Sequence, residues 1–340
     1  MKLRYHLFEL KLRHTFTIAR GSRDADQIVF VELEHDGITG YGEAAPAMRY
    51  GETTESVIDF LKKVNVEKIA DPFSIERNVQ YLESLSQKDY SARTAIDIAM
   101  HDWVGKAMGV PLHKILGLSP DDTPKTSFTI GIDRPEVLKQ KIKEAEEYPL
   151  LKIKLGGEND EEIMKTVRSV TDKVLRIDAN EGWKTREVAL EKILWLQGEG
   201  VEFIEQPMPA DQLLDTAWVR ERVSIPIIAD ENVVTMYDVP KLRGAFDGIN
   251  IKLMKCAGLH NALKMIYTAK SMKMKVMMGC MVESSVAISA AAQLSPLLDY
   301  ADLDGNLLIT NDPFTGVTAR DGQILLQAKP GIGVTPKGDM

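Results

Sequence analysis

Apolar and polar positions alternate loosely over residues 3 to 13, then more firmly from Ile28 to Glu34 and from Ile38 to Tyr41, with Asp36 and Gly37 between the last two runs. Alternation of period two around an Asp-Gly turn predicts an antiparallel hairpin. From Ser56 to Leu85 and from Ala92 to Met108 the apolar residues recur at three and four, which predicts amphipathic helices. These elements make an α+β unit over residues 1–117. The stretch Gly117 to Lys125, with Pro120 and Pro124, predicts a linker. Beyond it short apolar runs alternate with helical patterns such as Asp160 to Thr171 and Thr185 to Gly198. The runs fall at 126–130, 151–155, 174–178, 202–205, 226–230, 248–252, 275–279 and 300–302. Eight strands alternating with helices predict an α/β fold, a (β/α)7β TIM-like barrel over residues 118–310. The Gly- and Pro-rich tail, 311–340, carries one strand-like run at Gln323 to Gln327 and is expected to pack back on the first unit, completing a capping domain.

The chemistry sits where the strand runs end. Lys154, Asp178, Glu205, Asp230, Lys252 and Asp302 each close such a run, at intervals of about 25 residues, with one double interval that the Val276 to Gly279 run divides. In a barrel the carboxyl ends of the strands converge on one site. Asp178, Glu205 and Asp230 end three consecutive strands and so present three hard oxygen ligands, a set suited to Mg²⁺. Any one of them alone would read as a helix cap or a surface acid. Lys152 and Lys154 lie two apart on one strand and share a face. Lys252 stands four strands from Lys154, which is diametric in a ring of eight. Like-charge repulsion between the ammonium groups, with a nearby cation, would lower their pKa and leave a neutral amine as base. The implied reaction is removal of a proton alpha to a carboxylate by one lysine, stabilisation of the enediolate by Mg²⁺, and return of a proton by the other lysine on the opposite face. Were one lysine alone used, the same enediolate could expel a beta leaving group.

Composition narrows the partners. A formal charge of −8, with both signs interspersed along 340 residues, argues against nucleic acid and favours a small solute. Two cysteines, Cys256 and Cys280, are too few for a disulfide framework, which suits a reducing cytoplasm. The amino terminus lacks the apolar core of a secretory signal, and no run reaches the length of a membrane span. The six histidines form no cluster.

The segments LLKIKLGG at 150–157, RIDANEGW at 176–183, FIEQPMP at 203–209, IADENV at 228–233 and INIKLMKCAG at 249–258 resemble the muconate-lactonising subgroup of the enolase superfamily. For that superfamily a lysine or histidine base with Mg²⁺ is the general pattern. The resemblance implies Asp178, Glu205 and Asp230 as metal ligands, Lys154 and Lys252 as the acid/base pair, and Lys152, Asn180 and Glu231 in support. DYADLDGNLL at 299–308 is similar to the Asp-x-Asp stretch of dipeptide epimerases. Asp302 and Asp304 share one face of an extended segment and together would accept an ammonium group, as on the amino end of a dipeptide. IARGSR at 18–23 and RYGE at 49–52 resemble cap loops of bacterial L-Ala-D/L-Glu epimerases, with Arg20 matched to the arginine that meets a substrate carboxylate and Arg23 and Arg49 as competitors. The resemblance also places Glu283, after the seventh strand, against substrate.

The expectation is therefore a Mg²⁺-dependent dipeptide epimerase acting on L-Ala-D/L-Glu or a close relative, in cytoplasmic recycling of cell-wall (peptidoglycan) peptides. Relatives of this kind form homo-oligomers, but no interface is legible in the residues. Two rivals stand beside it: a cycloisomerase or o-succinylbenzoate-type synthase on the same scaffold, and a non-catalytic barrel that binds a metal and an anion.

Overall fold

The computed structural model describes residues 1–69 and 71–338. Ala70, inside the predicted helical stretch Ser56 to Leu85, and the last two residues of the predicted tail lie outside them. The chain opens with an antiparallel meander of three strands, β1 (Lys2–Ile18), β2 (Gly21–His35) and β3 (Ile38–Ala44). Asp36 and Gly37 form the two-residue β2–β3 turn, both with positive φ, as the sequence predicts. The β1–β2 turn is equally tight. Ile18 pairs with Gly21, which puts Ala19 and Arg20 alone at the hairpin tip.

Three helices follow, α1 (Thr54–Lys63), α2 (Ile75–Leu85) and α3 (Tyr90–Met108). The single helical stretch expected over Ser56 to Leu85 is thus two helices, with Pro72 just before the second. Apolar side chains of β2, α1, α2 and α3, among them Val29, Val31, Phe60, Leu82 and Ile96, form the cap's own core. Helix α3 differs from its amphipathic reading, because residues 91–105 are buried on every side. The cap sheet covers one face and the barrel the other. At Gly42 a Cβ would fall 1.8 Å from the Ala95 carbonyl oxygen, so only glycine lets sheet and helix approach this closely. The polar residues of α3 find partners on both sides: Thr94 donates to the Leu253 carbonyl at 2.7 Å, and Asp102 accepts from Tyr41 N–H and Ile332 N–H.

The barrel strands are β4 (Phe128–Ile130), β5 (Leu150–Lys154), β6 (Val174–Asp178), β7 (Val201–Glu205), β8 (Ile227–Ala229), β9 (Gly248–Ile251), β10 (Lys275–Met278) and β11 (Tyr300–Ala301). They are parallel and pair in chain order. A parallel bridge from Thr126 to Ala301 closes the ring. Helices flank the strands outside, except that the β8–β9 connection holds only a 3-10 turn, Val239–Leu242, in a stretch with Pro240 and Gly244. Inside, Phe203, Ile228, Met277 and Tyr300 pack as a plug, with the Arg176 guanidinium over both rings. The interior is therefore solid below the strand ends, and a site can open only above. The tail touches both units: Phe314 stacks near Phe30 and Tyr41, and Gly322 accepts from Thr126 N–H.

Candidate active site

Strand register builds the floor of the site. Lys154 lies level with Asp178, and Asp178 with Glu205. Glu205 is level with Ile228, an interior residue, so Asp230 two positions on also faces inward. The three carboxylates are buried, and each offers an oxygen within 4.8 Å of the others. Lys152, on the inward face one step below Lys154, contacts three of the floor's acids: Asp178 at 3.0 Å, Glu205 at 2.8 Å and Asp302 at 2.8 Å. Lys154 donates to Asp178 at 2.6 Å. Lys252 follows β9 and donates to the other Asp230 oxygen than Lys255 does, at 2.9 Å.

The charges of this floor are uneven. Burial works against ionised Asp178, but Lys152 and Lys154 outweigh it and hold the carboxyl below its usual range. Burial is likewise overcome at Asp230 by Lys252 and Lys255. Glu205 is pushed up to about 8 by burial and by Asp178, with Lys152 only partly compensating. Lys152 does not show the lowered pKa expected from like-charge repulsion. Burial does act that way on Lys152, but Asp178, Asp302 and Glu205 raise it further than burial lowers it, and Asp230 does the same for Lys252. Neighbouring carboxylates at hydrogen-bond distance outweigh a second ammonium farther off.

The residues present fit a divalent cation. Asn180 Oδ1, Glu231 Oε2 and Asn250 Oδ1 are buried without a hydrogen-bond partner among the described residues, and Glu205 Oε2 faces the Lys152 ammonium at 2.8 Å. Buried oxygens left in that state are costly, and oxygen-rich, anionic surroundings suit a hard cation. Asp178, Glu205 and Asp230 would hold it.

Above the floor lies a cavity of about 630 Å³, roofed by the cap. Lys152, Lys154, Asp230, Lys252, Asp302 and Asp304 line its lower side; Phe16, Ile18, Arg20, Arg49 and Tyr50 line its upper side. Asp302 accepts from Ser127 Oγ at 2.7 Å as well as from Lys152. Asp304 accepts from Thr129 N–H at 2.6 Å through Oδ2, while among the described residues Oδ1 has only the Cys280 thiol at 3.9 Å. Burial and the neighbouring Asp302 push Asp304 up to about 6.

Arg20 reaches down from the hairpin tip. Its Nη1 meets Glu231 Oε1 at 2.7 Å, the Asn180 carbonyl at 3.0 Å and Glu181 Oε2 at 3.4 Å. Glu231 therefore turns toward the cap. Arg49 forks onto Glu181, which Arg20 also approaches, whereas Arg23 turns back to Asp26 at 2.6 Å. Asn180 lines the cavity and donates its N–H to Asp178 Oδ1 at 2.9 Å. Glu283 departs from its expected place. The cavity is lined by Cys280, Met281 and Val282, whereas the Glu283 carboxylate curls back to Met281 N–H and lies buried beside Glu43. The loop leaves the strand alternation there, so side-chain direction no longer follows spacing.

Several residues of the site escaped the sequence reading. Lys255 donates to Asp230 Oδ1 and to the Asp230 and Asn250 carbonyls. It lies within INIKLMKCAG, but on the short helix after Lys252, where strand periodicity is silent. Asn250 donates to Glu205 at 2.9 Å, and period two from Lys252 would have found it. Ser127 and Thr129, two apart, face the Asp302–Asp304 pair in the same way.

Comparison with known proteins agrees with this geometry. Residues 137–340 match the enolase C-terminal domain-like family, and residues 5–117 match the mandelate racemase / muconate lactonizing enzyme N-terminal domain. The chain is 54% identical to an L-Ala-D/L-Glu epimerase of Bacteroides thetaiotaomicron, over 98% of this chain and 88% of that protein. It is 42% identical to an L-Ala-D/L-amino acid epimerase of Pedosphaera parvula, over 97% of each. Among solved structures, the dipeptide epimerase of Cytophaga hutchinsonii, complexed with Mg and D-Ala-L-Val, superposes with a TM-score of 0.92 at 28% identity, covering 99% of this chain and 96% of that one. The substrate-liganded L-Ala-D/L-Glu epimerase of Bacillus subtilis gives the same TM-score and identity over 99% and 98%. The chain belongs to the enolase superfamily, as a capped-barrel enzyme of the mandelate racemase / muconate lactonizing type whose similar relatives are epimerases.

Proposed function

We propose that this protein is a Mg²⁺-dependent dipeptide epimerase that inverts the alpha carbon of the carboxyl-terminal residue, with L-Ala-D/L-Glu as its substrate. The observation that carries this reading is the pair Lys154 and Lys252, four strands apart in a ring of eight, each on a carboxylate of the triad and each open to one cavity. A substrate between them presents one face of its alpha carbon to each amine. One lysine, as the free amine, takes the proton; the other, as the ammonium, returns one from the opposite side, and the roles exchange for the reverse reaction. Asp178, Glu205 and Asp230 would hold a cation that would supply charge stabilisation for the substrate carboxylate as negative charge builds on it.

Two further features support a dipeptide. Asp304 Oδ1 is buried and nearly free beside Asp302, an acceptor for the amino-terminal ammonium. Arg20 uses only Nη1 toward the protein, and its Nε and Nη2 donate no hydrogen bond to a described residue. They form a fork for a side-chain carboxylate. The named relatives at 54% and 42% identity act on L-Ala-linked residues, which favours the same amino-terminal residue here. Dipeptides of this composition come from cell-wall peptides, so their recycling is the proposed role. Muconate and succinylbenzoate carry no cation for Asp302 and Asp304, which places the cycloisomerase and synthase readings second.

Incubation with Mg²⁺ and a library of L,L-dipeptides in D₂O, followed by mass spectrometry, tests this. Deuterium entering the alpha carbon of dipeptides ending in Glu is expected. Exchange on other dipeptides alone would keep the chemistry and remove the acidic specificity; no exchange on any of them would reject the reading.

A further inference from the structure

Glu181 stands on a turn in which both it and Asn180 adopt left-handed backbone, with φ of 65° and 45°. Non-glycine residues held there are strained, so the surroundings must fix the turn. It aims the Glu181 carboxylate at the cap. Arg49 takes that carboxylate on both oxygens, Nε to Oε2 at 2.9 Å and Nη2 to Oε1 at 2.8 Å, and Ala210 N–H adds a third bond to Oε1 at 3.0 Å. Arg20 approaches the same Oε2 only at 3.4 Å, while it meets Glu231 at 2.7 Å. The rim thus holds two guanidiniums and two carboxylates, and its charge is balanced.

Resting on the epimerase reading, we propose that Arg49 is a positioning residue for substrate selectivity: by engaging Glu181 bidentately it keeps that carboxylate from capturing Arg20, and so leaves Arg20 open to an anionic side chain. Glu181 keeps only 10% of its side chain exposed and cannot be left to water. Without Arg49 its nearest cation is Arg20, a fraction of an ångström beyond a good hydrogen bond. Arg20 would then face two carboxylates of the protein itself, and the rim would carry a net negative charge toward an acidic dipeptide. The neutral isostere, a dipeptide ending in Gln, has no charge for that rim to repel.

The test is the ratio of kcat/KM for L-Ala-L-Glu to that for L-Ala-L-Gln in four proteins: wild type, Arg49→Ala, Glu181→Gln and the double variant. The ratio should fall roughly tenfold or more in Arg49→Ala, the scale of a charge-assisted hydrogen bond, chiefly through KM for the acidic substrate. It should return to near the wild-type ratio in the double variant, and stay at or above it in Glu181→Gln. Arg49→Lys, which keeps the charge without the fork, should fall between. A ratio unmoved by Arg49→Ala would mean that Arg49 only holds the turn, and a ratio that stays low in the double variant would mean that Arg49 itself contacts substrate; either overturns the inference while leaving the epimerase reading intact. Failure of the wild type to exchange either dipeptide overturns both together.

Discussion

On the barrel floor Lys152 is 2% exposed and touches three carboxylates, whereas at the cap rim Arg20 and Arg49 keep 36% and 40% of their side chains exposed while pairing across the gap. The floor residues are aimed by strand register, residue against residue across β5, β6 and β7, and each is enclosed by packed neighbours. The rim residues sit on a two-residue hairpin tip and a short 3-10 turn, and ion pairs rather than packing hold them in place. A rigid, dry floor suits groups that must meet an alpha carbon from two faces; an ion-paired rim suits groups that select a side chain and let it leave. Changes to the floor should therefore act on kcat, and changes to the rim on KM.

Removing the metal breaks the comparison most severely. Chelation should abolish epimerisation, and restored Mg²⁺ should recover it. Since the cation binds only the folded protein, Mg²⁺ at a hundredfold excess over its dissociation constant should stabilise the fold by about 2.7 kcal/mol, read as a rise in the thermal midpoint. A midpoint that ignores Mg²⁺ would remove the triad from metal binding. Next come the lysines. Lys154→Ala and Lys252→Ala should each lower kcat for inversion by about 10² to 10⁴-fold. The sharper readout is stereochemical: each variant should still exchange the alpha proton of one epimer in D₂O with retention, and the two variants should prefer opposite epimers. Equal behaviour toward both epimers would break the two-face arrangement.

This division also explains what was legible in the chain. Asp178, Glu205 and Asp230 could be read because each ends an apolar run, and parallel register turns sequence spacing into spatial level. The barrel followed from the same recurrence. Arg20 could be matched by resemblance, but its engagement with Glu231 and Glu181 depends on a hairpin tip meeting loops more than 150 residues away, which no local pattern encodes. Helix α3 misled for a related reason: its periodicity shows that apolar faces exist, not that a second layer will bury the polar one. Glu283 was placed by resemblance, and the loop there turns its carboxylate back to Met281 N–H. The Lys152 pKa went the other way because spacing revealed the like charges and not the carboxylates in contact with it.

Asp304 lies at the edge between floor and rim and sharpens the distinction. Asp304→Asn keeps the shape and the Thr129 contact site but removes the charge offered to an amino-terminal ammonium. Losing a charge-assisted bond costs about 1.5–3 kcal/mol, so kcat/KM for L-Ala-L-Glu should fall roughly ten- to a hundredfold. N-acetylation of the dipeptide should lower activity in the wild type and cost little further in the variant. A full effect of acetylation in Asp304→Asn would assign the ammonium elsewhere.

The last effect is on stability rather than on turnover, and it concerns the joint between the two regions. Glu43, on β3, is wholly buried and accepts from Ser284 N–H, Ser284 Oγ and Ala287 N–H at the start of the barrel helix Ser285–Ala292. Burial pushes its carboxyl from 4.5 up to about 7 despite those bonds, and nearby Asp312 adds to the rise. Glu283, beside it, is pushed up to about 8 by burial and by Glu43. A carboxyl whose pKa is raised on folding binds its proton more tightly in the folded state. Its stabilising contribution is therefore present below about 4.5 and is lost as pH rises through about 7. Glu43→Gln cannot titrate; it carries a fixed penalty for turning an amide N–H toward the Ala287 N–H. Relative to that variant, the wild type should lose stability steadily between about pH 4.5 and 7, by about 3 kcal/mol over the whole window, as measured by denaturant unfolding at a series of pH values. A difference that stays flat over that window would show Glu43 ionised throughout, held by the helix start it caps, and the joint would then be as indifferent to pH as the packed floor beneath it.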